Sequence, residues 1–157
     1  MYDYGGQYLL TNNWSSLDVR VIWVTVSTTA DTDRTAQYVG DIGTLSEYDG
    51  SGYPSAFANR YAIGTETKVL DTTDHDIKLT TTEGVLNKTT IGATPGSEPQ
   101  VTGYVIYVQG TSDADSPLLA YIDLAAAGVG EAFTPSGGAV NTTWDAEGII
   151  KFVFTAA

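Results

Sequence analysis

Residues Leu17 to Val26 open as a strict alternation, with Leu17, Val19, Val21 and Trp23 on one side of an extended chain. The pattern then becomes apolar on both sides, at Ile22, Val24 and Val26. Such a run predicts a strand whose second half is covered on both faces, by the chain itself or by a partner subunit. Val101 to Gln109 is the next strong strand. Val101, Gly103, Val105, Tyr107 and Gln109 face one way, and Tyr104, Ile106 and Val108 face the other. Pro117 to Leu124 follows after a polar turn and is its expected hairpin partner.

Weaker signals fill the rest. Tyr38, Val39, Ile42 and Leu45 are spaced to anchor a short helical turn on the core. Asp49-Gly50-Ser51-Gly52 is a turn. Arg60 to Leu70 holds one or two short strands, and Asp76 to Thr80 alternates as a further strand. Asn87 to Gln100, rich in Thr and Gly with Pro95 and Pro99, reads as a loop. Val140 to Trp144 and Ile149 to Thr155 are expected to close the chain as a strand pair around Asp145 to Gly148, with Ile150, Phe152 and Phe154 turned to the core. Many short strands without a long amphipathic helix predict an all-β fold. The expected form is a single antiparallel β-sandwich over residues 1–157, with a jelly roll among the arrangements it admits and at most short helical turns. Residues 1–13, with Tyr2, Tyr4 and Tyr8, are a candidate flexible N-terminal arm.

Composition narrows the function classes. At 157 residues one core suffices without a metal or disulfide staple, and there is no cysteine. A net charge of −12 repels phosphate backbones and anionic bilayers, so neither nucleic acid nor membrane is an expected partner. The start of the chain shows no signal-peptide pattern, and no apolar run approaches the about 20 residues that cross a bilayer. Synthesis in a cytoplasm without Sec-type export is therefore expected.

Candidate chemistry is sparse. The single histidine, His75, lies in the acid-rich segment Asp71 to Asp76. Such a loop admits a divalent metal or a general base, but one histidine without cysteine does not make a zinc site, and a polar turn is the simpler reading. Asp113-Ala114-Asp115-Ser116 alternates oxygen ligands as calcium loops do, yet lacks the glycine and distal glutamate of an EF-hand. A hairpin turn accounts for it. The glycines at 50, 52, 128 and 130 fit no phosphate cradle, and no G-x-S-x-G elbow accompanies the serines. No catalytic, cofactor-binding or metal-binding residue is assigned, and no enzyme activity is expected. Trp14, Trp23 and Trp144 with ten tyrosines admit a glycan-stacking platform, although core and interface packing account for them as well.

The ordered segments Trp14 to Val24, Tyr38 to Ile42, Glu47 to Tyr53 and Arg60 to Ile63 resemble a group of small virion proteins encoded among the structural genes of tailed bacteriophages and prophages. Glu47 to Tyr53 is similar to that group's E-x-x-G-x-G-Y. The likeness continues through Asp71 to Asp76, Gly103 to Val108, Asp115 to Asp123 and Asn141 to Ile150, leaving Asn87 to Gln100 unmatched. The resemblance implies a capsid decoration or cement protein on the head exterior. It would bind the major capsid protein, assemble as a homotrimer and need no cofactor. The alternatives are a tail, neck or fibre-associated virion protein, or a carbohydrate-binding adhesion module on the particle.

Overall fold

The computed structural model describes residues 1–73, 76–81, 85–92, 98–126, 131–144 and 149–153. Among these residues one α-helix, α1 (Asp3–Thr11), precedes nine strands: β1 (Val19–Thr25), β2 (Tyr61–Ala62), β3 (Glu66–Asp71), β4 (Asp76–Thr81), β5 (Val85–Ile91), β6 (Val101–Val108), β7 (Leu118–Asp123), β8 (Gly138–Thr143) and β9 (Ile150–Val153). All strand pairs are antiparallel. They form sheets of order β2-β1-β6-β7, β3-β4-β9 and β5-β8. The fold is all-β, as the alternation predicts.

The body is built on β1 and β6. They pair from Val19↔Val108 through Trp23↔Tyr104 to Thr25↔Val101. Because side chains alternate, this ribbon feeds two cores. Val19, Val21 and Trp23 join Tyr104, Ile106 and Val108 in the larger one, which also takes Leu79 of β4, Ile91 of β5 and Ile150 of β9. Ile22 and Val24 join Val105 and Tyr107 in the smaller one. The expected cover over the second half of β1 comes from the chain itself. Ala30, Ala36, Val39 and Ile42 lie there with Tyr2, and Val39 begins a 3-10 turn. The strand stops at Thr25, so Val26 is exposed.

The outer edge of β1 is closed group by group. The two residues of β2 pair with Arg20 and Val21. Below them, the Val19 N–H donates to the Glu66 carboxylate at 3.0 Å. Above them, the Trp23 N–H donates to the Tyr53 hydroxyl at 3.0 Å, its C=O accepts from the Tyr48 N–H at 2.8 Å, and the Thr25 N–H donates to the Ser46 carbonyl at 3.0 Å. An unpaired edge this apolar would be a template for aggregation.

Three expectations change. Residues 1–13 do not form an arm free of the body. Asp3–Thr11 is a nine-residue helix, longer than the short turns expected, and it packs on β7. Tyr2 is buried, its hydroxyl donates to the Ala30 carbonyl at 2.8 Å, and its N–H donates to the Leu119 carbonyl at 3.1 Å. Gly5-Gly6 disfavours a helix locally, but Gly5 is where helix and strand touch. A Cβ there would lie 2.5 Å from the Leu119 carbonyl oxygen. Second, the first part of the expected loop Asn87 to Gln100 belongs to β5, which is bound to β8 from Val85↔Thr143 onward. Its polar residues carry no alternation signal, because the ladder is made by backbone. Third, β8 and β9 do not pair with each other. β8 lies on β5 and β9 lies on β4 with Ile77↔Phe152 in register, so chain neighbours enter different sheets. The β6–β7 hairpin forms as expected.

The two helix glycines should respond oppositely to alanine. Gly5→Ala forces a methyl into backbone and should cost about 1–3 kcal/mol, with lost hydrogen-exchange protection over Asp3–Thr11. Gly6→Ala meets only the flexible end of Met1, at 3.3 Å, and should stabilise by about 0.5–1 kcal/mol. Urea titration and exchange mass spectrometry read both. Equal responses would show that α1 is not seated through Gly5.

Candidate functional site

The strongest gathering of charge is a knot around Arg60, which is almost fully buried. Its Nε and Nη2 donate to the two Glu47 oxygens at 3.0 and 2.7 Å. Nη1 donates to Asp113 Oδ1, and Nη2 also reaches Asp113 Oδ2 at 3.1 Å. The rings of Phe57 and Tyr107 flank the guanidinium at 5.6 and 5.7 Å. Burial alone would lower the guanidinium pKa, but its hydrogen bonds to Asp113 and Glu47 outweigh it and hold the group cationic. Burial also pushes the Glu47 carboxyl up, against the pull of Arg60 and Tyr53. The Tyr53 hydroxyl, raised well above its ordinary value by burial and by Glu47, stays protonated. It donates to Glu47 Oε1 at 3.3 Å while accepting from Trp23 N–H.

The motif Glu47 to Tyr53 is therefore structural. Its two ends meet on one carboxylate and seal the edge of β1. Gly52 takes φ +78°, and Gly50 lies against the Tyr48 ring with no room for a side chain. Every nitrogen of Arg60 is committed to a carboxylate, which ties the chain at 47, 60 and 113. This knot fastens loops, with both carboxylates engaged by the buried guanidinium.

The Asp113 to Ser116 segment is a capped 3-10 turn. The Asp115 carboxylate accepts from the N–H and hydroxyl of Thr111 and from the N–H and hydroxyl of Ser112. The Thr111 hydroxyl and backbone N–H hold its pKa well below the usual carboxylate range. Four donors occupy Asp115 and an arginine is paired with Asp113, so both carboxylates of the calcium reading already have protein partners. Among the described residues no group of three or more metal-ligating side chains occurs. His75 lies outside the described residues. Trp14, Trp23 and Trp144 are all buried. Trp23 is packed among Tyr48, Tyr53, Tyr61, Tyr104 and Phe133, with ring centroids 5.3–6.2 Å away. No glycan platform can use these indoles.

An apolar surface does emerge, at the free end of the β3–β4 hairpin. Residues opposite one another in an antiparallel pair share a face. The register Glu66↔Thr81, Lys68↔Leu79 and Leu70↔Ile77 therefore defines one continuous face. Its cover thins along its length. Glu66, Thr81 and Leu79 are buried, Ile77 is half-covered and Leu70 is 67% exposed. α1 ends beside it. Leu9, Leu10 and Trp14 line, with Lys68, Ile77 and Leu79, a groove of about 200 Å³. Leu10 is 79% exposed, and Val69 on the opposite face of β3 is 47% exposed. Leu10 lines this groove, and Leu70 continues the same face beside Ile77. A single exposed leucine is ordinary, but two on the same side of an unpaired strand, beside an apolar groove, offer a contact surface. β3 pairs only with β4, so its outer edge is open among the described residues. The sequence hid this surface, because Val69 and Leu70 read as ordinary strand residues until the cover over them is known.

Comparison with known proteins finds no matching family model, no matching curated protein and no matching solved structure.

Two outcomes follow from the charged groups. Arg60→Met leaves Glu47 buried without its cation and should cost about 3–5 kcal/mol in urea unfolding. Asp113→Asn, at the more exposed partner, should cost no more than about 1 kcal/mol. Equal losses would mean that the two pairs are equivalent. Asp115 and Asp33 both titrate below the ordinary value, Asp33 through the Thr29 hydroxyl and the Gly43 N–H. A depressed carboxylate stabilises fully above its unfolded pKa of about 3.9 and loses that contribution as pH falls toward the folded value. Asp115→Asn should therefore lower Tm at pH 7, with the gap to wild type shrinking below about pH 4. A gap that does not depend on pH would assign the effect to geometry instead.

Proposed function

We propose that this chain is a structural subunit of a tailed-bacteriophage particle, most specifically a decoration or cement protein on the exterior of the head. The observation that carries the reading is the overhang made by the exposed Leu10 and Leu70 beside the groove lined by Ile77 and Leu79, in a chain rich in hydroxyl and acidic residues. Its arginine knot and capping aspartates spend their charge on holding loops. The ordered resemblance of Trp14 to Val24, Glu47 to Tyr53 and Asn141 to Ile150 to small virion proteins supports the same reading.

The mechanism is linkage. A subunit that binds the assembled shell and not free capsid protein shifts the equilibrium toward the intact particle. The overhang would bury its leucines against the major capsid protein. The net charge of −12 would face solvent and keep particles apart. A homotrimer would present three such overhangs, so weak single contacts would add through effective concentration. A tail or neck station would use the same surface, and the number of copies per particle separates the two.

The test is Leu10→Ser with Leu70→Ser. Both side chains are exposed, so the double variant should keep wild-type Tm within a few degrees. It should fail to co-sediment with emptied heads that lack the protein, and heads treated with it should release their genome at the temperature of undecorated heads. Equal heat-release profiles with and without the wild-type protein would overturn the cement role.

A further inference from the structure

A second unpaired edge lies along β8, and here it is set in a groove. Among the described residues β8 pairs with β5 alone. Among the described residues the backbone of Gly138 to Thr142 has no other hydrogen-bonded neighbour. These five consecutive residues form one wall of a groove of about 440 Å³, a volume within the ordinary range of binding clefts. Thr134 to Ser136, which lead into β8 through Gly137 at φ +85°, line it as well. Tyr104, Leu124 and Phe133 form the floor, and the Tyr104 hydroxyl is hydrogen-bonded to Thr142 Oγ1 at 2.8 Å. Phe133 is held by paired backbone bonds to Val101, at 2.8 and 3.1 Å, so the floor is anchored to β6.

We infer that this groove takes an extended segment of a neighbouring protein subunit, added as a further strand on β8, and that the segment is neutral or basic. The identification of the neighbour as a virion subunit rests on the proposed function. The strand-pairing chemistry does not. An open strand edge presents N–H and C=O groups at alternating fixed intervals, and only another extended backbone matches that spacing along its length. The six residues of β8 offer about 20 Å of edge. The half-buried Phe133 offers apolar contact to a side chain of the guest. A sugar is the poorer fit, because Tyr104 is buried and its ring offers no free face. Charge selects the guest further. Glu131 is the only charged residue among the described lining. A guest with lysine or arginine at its ends therefore gains, and one with acids loses. Segments of a second copy of this acid-rich chain are disfavoured on the same ground.

The test uses the intact protein and an acetylated, amidated heptapeptide of alternating threonine and valine with a lysine at each end. NMR titration should show saturable shifts at Gly138 to Thr142, Tyr104 and Phe133, with slowed exchange at alternate amides of β8. The same peptide with glutamates at its ends should bind at least about ten-fold more weakly, and Glu131→Gln should narrow that difference. N-methylation of alternate peptide nitrogens should abolish binding. Gly138→Phe supplies a plug, because a Cβ at Gly138 meets nothing within 4 Å. This variant should keep its Tm and lose the peptide. Absence of shifts at millimolar peptide, or equal binding of the N-methylated peptide, overturns the inference. So does binding of an oligosaccharide in place of the peptide, or concentration-dependent self-pairing through the same amides. Particle sedimentation is scored separately. If the peptide binds but the protein is found on no particle, the groove stands and the virion reading falls. If the protein decorates heads equally well as Gly138→Phe and as wild type, decoration stands and the groove is not its contact.

Discussion

Everything in this fold follows from a two-stranded ribbon that cannot tolerate water on either face or along one edge. β1 and β6 bury Val19, Val21 and Trp23 on one side and Ile22, Val24, Val105 and Tyr107 on the other. A strand buried on both faces is ordinary where helices flank a parallel sheet, but an antiparallel ribbon has no crossover helix to supply the second cover. Here irregular chain does that work. Residues 30–42 and Tyr2 close the smaller core, and the remaining sheets close the larger. The edge problem is solved by pieces rather than by a long strand, with Glu66, Tyr53, Tyr48 and Ser46 each satisfying one group.

That solution explains why the polar residues are disposed as they are. A carboxylate on the Val19 N–H or a tyrosine hydroxyl on the Trp23 N–H must itself be held, and the knot of Glu47, Arg60 and Asp113 holds the second of these. The buried arginine is thus a consequence of the sealed edge. Such a cluster is strongly destabilising when broken at one partner, while contributing little beyond a well-packed apolar substitute when whole. Its value is positional, because it fixes three loops whose backbones must meet β1 at set points.

The sequence disclosed the parts of the fold that carry alternation. β1, β4, β6 and β7 were legible because their apolar residues repeat with the period of a strand, and the cover over Ile22 and Val24 was legible because those residues demanded one. β5 was not legible, since Asn87 to Thr90 are polar and only the ladder to β8 makes them a strand. The partners of β8 and β9 were not legible either, because adjacency in sequence favours a hairpin and nothing local opposes it. α1 was concealed by Gly5 and Gly6. Their cost to an isolated helix is evident in the sequence, while the close approach that Gly5 permits exists only against Leu119. Glu47, Tyr53 and Arg60 were visible as part of a resemblance, but their union was not, because a spacing of 13 residues between Glu47 and Arg60 says nothing about two loops meeting. The overhang is a matter of what is missing above Leu70, which no pattern within β3 can report.

The seat of α1 has a consequence for how the molecule is made. A helix of nine residues with two adjacent glycines does not persist in water without support. Its support is the backbone of Leu118 and Leu119, synthesised long after it. During translation the segment must therefore wait as loose chain while the ribbon it will help to close is still incomplete. Residues 30–42 can cover Ile22 and Val24 soon after β1 is made, whereas the place of Tyr2 in that cover depends on Leu119, nearly a hundred residues further on.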